Sequence, residues 1–408
     1  MISRSLALAI SLALIGCGGA RPAHAPSPMT SPKPLSSPSF EDDVAFLAAH
    51  GPVHVLTAEG GGRVVVSARY QGRVMTSAVD AREPGFGWIH RDFVASGRTG
   101  TAFDNFGGED RLWLGPEGGQ YGLYFPKGAS FAFDAWQVPH AMQEGAWEMR
   151  EATSTRAVFG KRMTLANWSG TSFDVAVERT VSLVDVEAKL GALPAGVRAV
   201  AFQSDNRITN AGSAPWKRES GLPSIWVLAM YAPAKDGRVI VPFRTDAPPG
   251  TPIVNDAYFG KVPSDRLAVH EREGFLSFVV DGALRSKIGL VPARAKNRLG
   301  SYSASASLLT VVEYEPGPDA AKPYVNSMWE QQAAPYGGDV ANSYNDGPTG
   351  PGKPPLGGFY ELETSSPGAE LAPGASLAHV HRTYHFVGAR EALEPLAKRL
   401  LGVSLDGL

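Results

Sequence analysis

The sequence has very little cysteine and no excess of positive charge. Cys17 is the single cysteine among 408 residues, so an internal disulfide is excluded and burial and hydrogen bonding must stabilise the fold. The net charge of −2 argues against nucleic acid as a partner. The apolar run over residues 6–15 is interrupted by Ser11 and is too short to span a membrane. By contrast, 46 glycines and 32 prolines favour many turns between short strands over long helices.

The N-terminal region predicts export and a lipid anchor. Arg4 precedes the apolar run, as in a secretion signal, and the sequence ending at Cys17, Leu-Ile-Gly-Cys, resembles a bacterial lipobox. We therefore expect residues 1–17 to be a lipoprotein signal peptide, with the lipid on Cys17. Residues 18–38 are rich in proline, serine and alanine and predict a flexible tether. The expected location is the cell envelope, on the outer membrane or the periplasmic face, with Cys17 as the membrane contact.

Residues 39–408 show the pattern of an all-β protein. Short β-branched segments bounded by turns predict strands at 53–57, 63–67, 73–77, 121–125, 131–133, 156–159, 162–166, 173–183, 198–209, 224–231, 238–243, 275–280, 287–290, 307–315, 359–364 and 377–386. Helices are predicted at 41–50 and 390–402, and more weakly at 320–332. This pattern predicts a mostly antiparallel domain of two large sheets packed face to face, with short terminal helices. Two smaller β domains are the alternative.

A glycine-rich segment at 105–120 is the first candidate for chemistry. Its paired glycines bracket Glu109, Asp110, Arg111, Trp113 and Glu117, and glycines allow close backbone approach. Aromatic faces beside carboxylates and an arginine suit a sugar, which stacks its C–H face and hydrogen-bonds through its hydroxyls. A tight turn with an internal Asp–Arg ion pair explains the same composition equally well.

Two further segments add polar and aromatic candidates. Residues 134–140 contribute Trp136 and His140, although a histidine beside a proline is more often structural than catalytic. The long polar stretch at 324–347 contributes Asp339 and Asn342, which can serve sugar hydroxyls or a hard cation such as calcium. The spacing matches no EF-hand loop, so no cofactor or metal is expected beyond a weak case for calcium.

The last candidate segment is a pair of alternating strands at 357–366 and 377–386, which predicts a hairpin. Alternation places Glu361 and Glu363 on one face of the first strand. The same alternation places His379, His381 and His385 on one face of the second strand. Coinciding faces would form an acid–base or metal site, but a solvated sheet face is the preferred interpretation for the histidines.

Several motifs in this C-terminal segment resemble galactose mutarotases (aldose 1-epimerases). The motifs are Leu362-Glu363-Thr364, Leu371-Ala-Pro-Gly374 and a strand ending Thr383-Tyr-His-Phe386, preceded along the chain by residues 67–77, 105–108 and 337–342 in the order of that family. The chain also resembles an uncharacterised bacterial lipoprotein family that shares its Gly-Gly-Glu-Asp-Arg and Tyr-Glu-Leu-Glu-Thr-Ser-Ser motifs. The resemblance implies a β-supersandwich that binds carbohydrate in a cleft, with Glu363 at the position of the catalytic base.

The chain departs from the mutarotase pattern in its histidines. No histidine occupies the mid-chain region 208–228, and Asn105 replaces another histidine of the family. Ring opening needs a general acid as well as a base, so Arg111, His140 or a strand histidine would have to supply the proton. We therefore expect a lipid-anchored carbohydrate-binding protein, with Glu361 and His381 also at the cleft. An active sugar epimerase or polysaccharide lyase or hydrolase using Glu363, and a structural envelope lipoprotein, are the alternatives.

Overall fold

A computed structural model describes residues 37–408, so the expected signal peptide, Cys17 and nearly all of the tether lie outside the described residues. Residues Pro38–Leu408 form one compact unit. Its strands are β1 (His54–Thr57), β2 (Arg63–Ser67), β3 (Arg73–Ala78), β4 (Arg111–Gly115), β5 (Glu148–Ala152), β6 (Arg156–Ala166), β7 (Ser172–Leu183), β8 (Arg198–Asn210), β9 (Ser224–Tyr231), β10 (Arg238–Pro242), β11 (Leu267–His270), β12 (Phe275–Val279), β13 (Ser286–Leu290), β14 (Arg298–Ser303), β15 (Leu308–Glu315), β16 (Ala341–Asn345), β17 (Tyr360–Ser365) and β18 (Ser376–Val387).

The strands form two antiparallel layers. One layer is a ten-stranded sheet in the order β11-β12-β10-β14-β15-β18-β8-β7-β6-β5. The other combines a five-stranded sheet, β13-β16-β17-β9-β4, with the three-stranded sheet β1-β2-β3, which joins it through a bridge between Val74 and Asp110. Apolar side chains of the two layers meet in two main clusters between the sheets, as expected for sheets packed face to face. This arrangement is the β-sandwich that the sequence predicts.

Short helices pack around this sandwich. They are α1 (Phe40–His50), α2 (Arg91–Ser96), α3 (His140–Gln143), α4 (Val186–Leu190) and α5 (Arg390–Leu401). Ser39 caps α1 by accepting from the backbone N–H of Asp42, while the Asp42 carboxylate accepts from the N–H of Ser39. Leu393, Leu396 and Leu400 of α5 pack on the ten-stranded sheet. No helix within residues 37–408 is long and apolar enough to cross a membrane.

Some local predictions differ from the structure. Residues 320–332 form bends and turns instead of a helix, and 121–125 and 131–133 lie in irregular backbone and a short 3-10 turn instead of strands. The predicted hairpin is also wrong, because β17 belongs to the five-stranded sheet and β18 to the ten-stranded one. The segment at 366–375 therefore crosses from one sheet to the other and does not close a tight turn.

Candidate functional site

The outer face of the five-stranded sheet gathers most of the charged and aromatic candidates. Glu363 on β17 pairs in register with Leu228 on β9, which in turn pairs with Arg111 on β4. Two residues away on each strand, Trp226 on β9 lies opposite Trp113 on β4. Because side chains alternate between the two faces of a strand, all of these residues point away from the core.

A cavity that opens to solvent lies over this face. Loops between the strands cover it with aromatic side chains. The lining residues are Phe103, Arg111, Trp113, Glu117, Phe133, Trp136, Trp226, Leu228, Phe259, Arg285, Lys287, Trp329, Tyr344, Leu356, Phe359 and Glu361. We call this space the aromatic cavity. Its four tryptophans come from four separate chain segments.

Two ion pairs cross the floor of the aromatic cavity. The guanidinium of Arg111 donates to Glu361 Oε1 at 2.6 Å, and its carbon lies 4.1 Å from the ring centre of Trp113. The ammonium of Lys287 donates to Glu363 Oε2 at 2.8 Å, and the indole N–H of Trp226 donates to the same oxygen at 2.9 Å. Buried pairs of this kind must be well hydrogen-bonded to offset the cost of desolvation.

Burial and neighbouring charges shift the pKa values of these groups. It raises the pKa of Glu361, against the opposing charge of Arg111, and it raises the pKa of Glu117. Glu117 accepts from the indole N–H of Trp136 at 2.8 Å. Burial lowers the pKa of Lys287, but the neighbouring carboxylates, Glu363 foremost, raise it by more, so this pKa lies above its ordinary value. Lys287 is therefore a permanent cation at neutral pH.

A smaller polar cavity adjoins the first and shares Trp226 and Lys287 with it. Its lining is Gly115, Ser224, Trp226, Tyr258, Lys287, Val325, Ser327, Asp339, Asn342 and Ser365. The hydroxyl of Tyr258 donates to Asp339 Oδ2 at 2.6 Å and accepts from the Asn342 amide at 3.2 Å. Burial raises the pKa of Asp339. These groups can hydrogen-bond hydroxyls, and residues 37–408 contain no cluster of three or more His, Cys, Asp or Glu side chains arranged to hold a metal ion.

The structure brings together seven of the residues singled out in the sequence. The aromatic cavity is lined by Arg111, Trp113, Glu117, Trp136 and Glu361, and the polar cavity by Asp339 and Asn342.

Glu363 lines neither cavity, because its side chain is fully buried beside Lys287 and Trp226. Its second oxygen, Oε1, has no hydrogen-bond partner among the described residues. Glu363, which the resemblance to galactose mutarotases places at the catalytic base, is therefore inaccessible from either cavity. Glu361, two residues earlier, faces the aromatic cavity.

Three predicted cleft residues lie in other places. Glu109 and Asp110 point into the core, where Glu109 binds His385 at 2.6 Å and Asp110 binds Arg179 at 2.6 Å. The alternative interpretation, an internal ion pair between an aspartate and an arginine of this segment, is not seen among the described residues, because Asp110 pairs with Arg179 and Arg111 with Glu361. His140 is exposed at the start of α3 and pairs with Glu144 at 3.0 Å, away from both cavities.

His381 is also not at the cleft, and the preferred interpretation of the strand histidines as a solvated face is wrong. His379, His381 and His385 are buried between the two sheets. The Thr364 hydroxyl lies 2.8 Å from His379 Nε2 and 2.9 Å from His381 Nδ1, on the face of β17 opposite Glu363. Since β17 and β18 belong to different sheets, the histidines meet the inner face of β17 and the carboxylates occupy its outer face.

The sequence of this chain matches a known protein family. Residues 38–408 match the model of a protein family of unknown function, DUF6786. The chain belongs to the DUF6786 family. No curated protein matches the sequence.

Among solved structures, the fold of this DUF6786 protein is similar to that of a candidate aldose 1-epimerase from Escherichia coli K12. The TM-score is 0.50 at 11% identity, over 83% of this chain and 99% of that one. It is also similar to a galactose mutarotase-like protein from Lactobacillus casei, with a TM-score of 0.45 at 10% identity, over 82% and 100% of the two chains. At the first of these scores the shared fold is the galactose mutarotase-like β-sandwich, as the sequence motifs predict.

Sequence reasoning missed several lining residues of the DUF6786 cavity. Lys287 is the strongest case, since it is the single charged residue of the short strand Ser-Lys-Ile-Gly-Leu. A lysine inside a buried strand signals a buried acid partner, because an unpaired buried charge is very costly. Trp226 and Arg285 carry no such local signal, since their roles depend on strand register and on loops distant in sequence.

Proposed function

We propose that this protein binds carbohydrate in the aromatic cavity. The observation that carries the proposal is the meeting of four tryptophans with the Arg111–Glu361 pair in one concave site. Sugar rings have apolar C–H faces and polar edges, so they suit a site that offers flat rings and hydrogen-bonding groups together. The mutarotase-like fold supports a sugar-related role.

Binding is favoured over turnover by the environment of the acidic residues. A base acting on a bound sugar must reach the proton that it removes, and Glu363 is fully buried outside both cavities. No histidine within residues 37–408 lines either cavity to supply a general acid. We therefore assign Glu361 and Arg111 to hydrogen bonding with sugar hydroxyls, and Glu363 to holding Lys287 in place.

Trp329→Ala is expected to weaken glycan binding about tenfold or more, because buried aromatic anchors carry a large share of binding energy. Trp329 is half-buried at the mouth of the cavity, where its ring stacks near Trp136 and Phe133. A glycan array and thermal-shift screen of the full chain first identifies a ligand, since a bound ligand raises the unfolding temperature. Isothermal titration then compares the variant with the unaltered protein.

Trp168→Ala is the matched control, because Trp168 is also half-buried and stacks on Phe131 but lines neither cavity. It is expected to bind glycan normally. Equal loss of binding in the two variants, or no stabilisation by any glycan, would contradict a carbohydrate site in this cavity.

We also propose that the chain is anchored to the cell envelope by lipid on Cys17, on the grounds of the signal-like segment and lipobox resemblance alone. Cys17→Ser is expected to move the protein from the membrane fraction to the soluble fraction of the cell envelope. Fractionation and immunoblotting test this, with a Ser11→Ala variant, altered within the same segment, as the control expected to stay in the membrane. Retention of the Cys17→Ser protein in the membrane would refute the anchor.

A further inference from the structure

Arg285 differs from the other cations of the aromatic cavity in having no acid partner. Arg111 is paired with Glu361 and Lys287 with Glu363. Among the described residues, no carboxylate lies within ion-pair distance of Arg285, although the side chain lines the same cavity. The acid in its hydrogen-bond network, Asp346, is reached only through the hydroxyl of Tyr344. A cation held at a concave site without a direct acid partner suits an anionic ligand.

The position of Arg285 is fixed by its neighbours. Its guanidinium carbon lies 3.7 Å from the ring centre of Phe259 and 5.3 Å from that of Phe133. Its Nε donates to the hydroxyl of Tyr344 at 3.3 Å. Stacking and this hydrogen bond together limit the rotamers of the long side chain, so little entropy remains to be lost when a ligand binds.

The two terminal nitrogens of Arg285 are left available. Neither one donates a hydrogen bond to any described residue, and the side chain is only half-buried. A guanidinium with two free terminal nitrogens matches the two oxygens of a carboxylate or the oxygens of a sulfate.

The rest of the cavity does not repel such a group. Among the charged residues that line it, the cations Arg111, Lys287 and Arg285 outnumber the carboxylates Glu361 and Glu117. Arg111 is paired with Glu361 at 2.6 Å. The ring of Trp329, whose centre lies 6.0 Å from the Arg285 guanidinium carbon, also lines the cavity and can stack on the sugar ring that carries the anion.

We propose that the ligand of the aromatic cavity is an acidic glycan, whose carboxylate or sulfate binds Arg285. This inference rests on the proposed carbohydrate-binding function and narrows its ligand class. Uronic acid and sulfated sugars share the required oxyanion, and a test must separate them.

The test is direct titration of the full chain with a glycan panel. The panel holds matched neutral, carboxylated and sulfated members on galactose, glucose and mannose backbones. The acidic members are expected to bind tightest, and added salt is expected to weaken them more than the neutral ones. Arg285→Gln is expected to reduce acidic-glycan affinity about 10- to 100-fold, the loss typical of a charge-assisted hydrogen bond, and to reduce neutral-glycan affinity by a clearly smaller factor.

Arg98→Gln is the matched control. Arg98 also stacks on a phenylalanine, Phe93 at 5.4 Å, and its Nε also donates to a hydroxyl, that of Ser96, but it does not line the cavity. It is expected to leave all affinities unchanged, and thermal unfolding verifies that both variants fold. Arg285→Lys, which keeps the charge and loses the planar fork, is expected to fall between Arg285→Gln and the unaltered protein.

Three outcomes overturn the inference. Neutral members binding as tightly as their acidic counterparts would exclude an acidic ligand. An acidic preference that survives Arg285→Gln would place the anion elsewhere. Binding by no member of the panel would contradict the carbohydrate-binding function itself, a result distinguishable from the other two. A preference confined to the carboxylated or to the sulfated members identifies the oxyanion and supports the inference.

Discussion

Replacing Lys287 with methionine is expected to lower the free energy of unfolding by about 3–5 kcal/mol, the usual cost of leaving a buried charge without its partner. Lys287 and Glu363 are almost completely buried and 2.8 Å apart. Methionine keeps the length of the side chain and removes the charge, so Glu363 retains only the Trp226 indole as a donor among the described residues. Urea unfolding, monitored by tryptophan fluorescence and circular dichroism, measures the change.

A double variant separates the charge effect from packing. Lys287→Met combined with Glu363→Gln leaves no buried charge, and the glutamine carbonyl still accepts from Trp226, so most of the lost stability should return. Lys398→Met removes an exposed lysine paired with Glu394 at 2.9 Å and should change stability far less. Similar stabilities for Lys287→Met, Lys398→Met and the unaltered protein would show that Lys287 is not holding a buried carboxylate.

Two buried histidines, His379 and His381, are each expected to cost the folded chain stability when the pH falls from 8 to 5. Burial lowers the pKa of His379 to about 3 and that of His381 to about 4, whereas both take their ordinary value of 6.5 when unfolded. The unfolded state therefore binds more protons below pH 6.5, and the stability is lost progressively as the pH falls toward the folded-state pKa values. The loss at pH 5 is on the order of 2 kcal/mol for each ring, about 4 kcal/mol for the pair.

Two measurements check this acid sensitivity. Urea unfolding at pH 8 and pH 5 gives the total change, in which Glu361, Glu117 and Asp339 act in the opposite direction because burial raises the pKa of each. Nuclear magnetic resonance of the histidine rings isolates the two sites, because their signals should not move over this pH range in the folded protein. Titration of all the ring signals near pH 6.5 in the folded state would contradict the buried, neutral assignment.

Neutral rings also agree with the hydrogen bonding around Thr364. One hydroxyl lies between the two histidines and can donate to only one of them, so the other ring must donate to the hydroxyl oxygen. The remaining ring nitrogens, His379 Nδ1 and His381 Nε2, have no partner among the described residues. A charged imidazolium at either position would be fully buried with one ring nitrogen lacking an acceptor, so burial lowers both pKa values.

Local sequence patterns determined the two terminal helices and most of the strands of this fold. The acidic start of α1 and the leucine periodicity of α5 predict the ends of both helices to within a residue or two. Helix caps and amphipathic faces depend on residues that are close together in the sequence. Strand alternation likewise places Glu361 and Glu363 on one face of β17 without reference to any partner strand. The order of the motifs along the chain then predicts the mutarotase-like sandwich.

Tertiary structure alone decided which groups share the site. The sequence cannot show that β17 and β18 lie in different sheets, since sheet membership depends on contacts between distant segments. Because the two strands are in different sheets, His381 lies in the core and Glu361 lies at the cavity. Lys287 reaches Glu363 across 76 positions of sequence, and Arg111 reaches Glu361 across 250. Periodicity along a strand fixes the face of a side chain relative to its neighbours, and only the packing of the sheets fixes what that face meets.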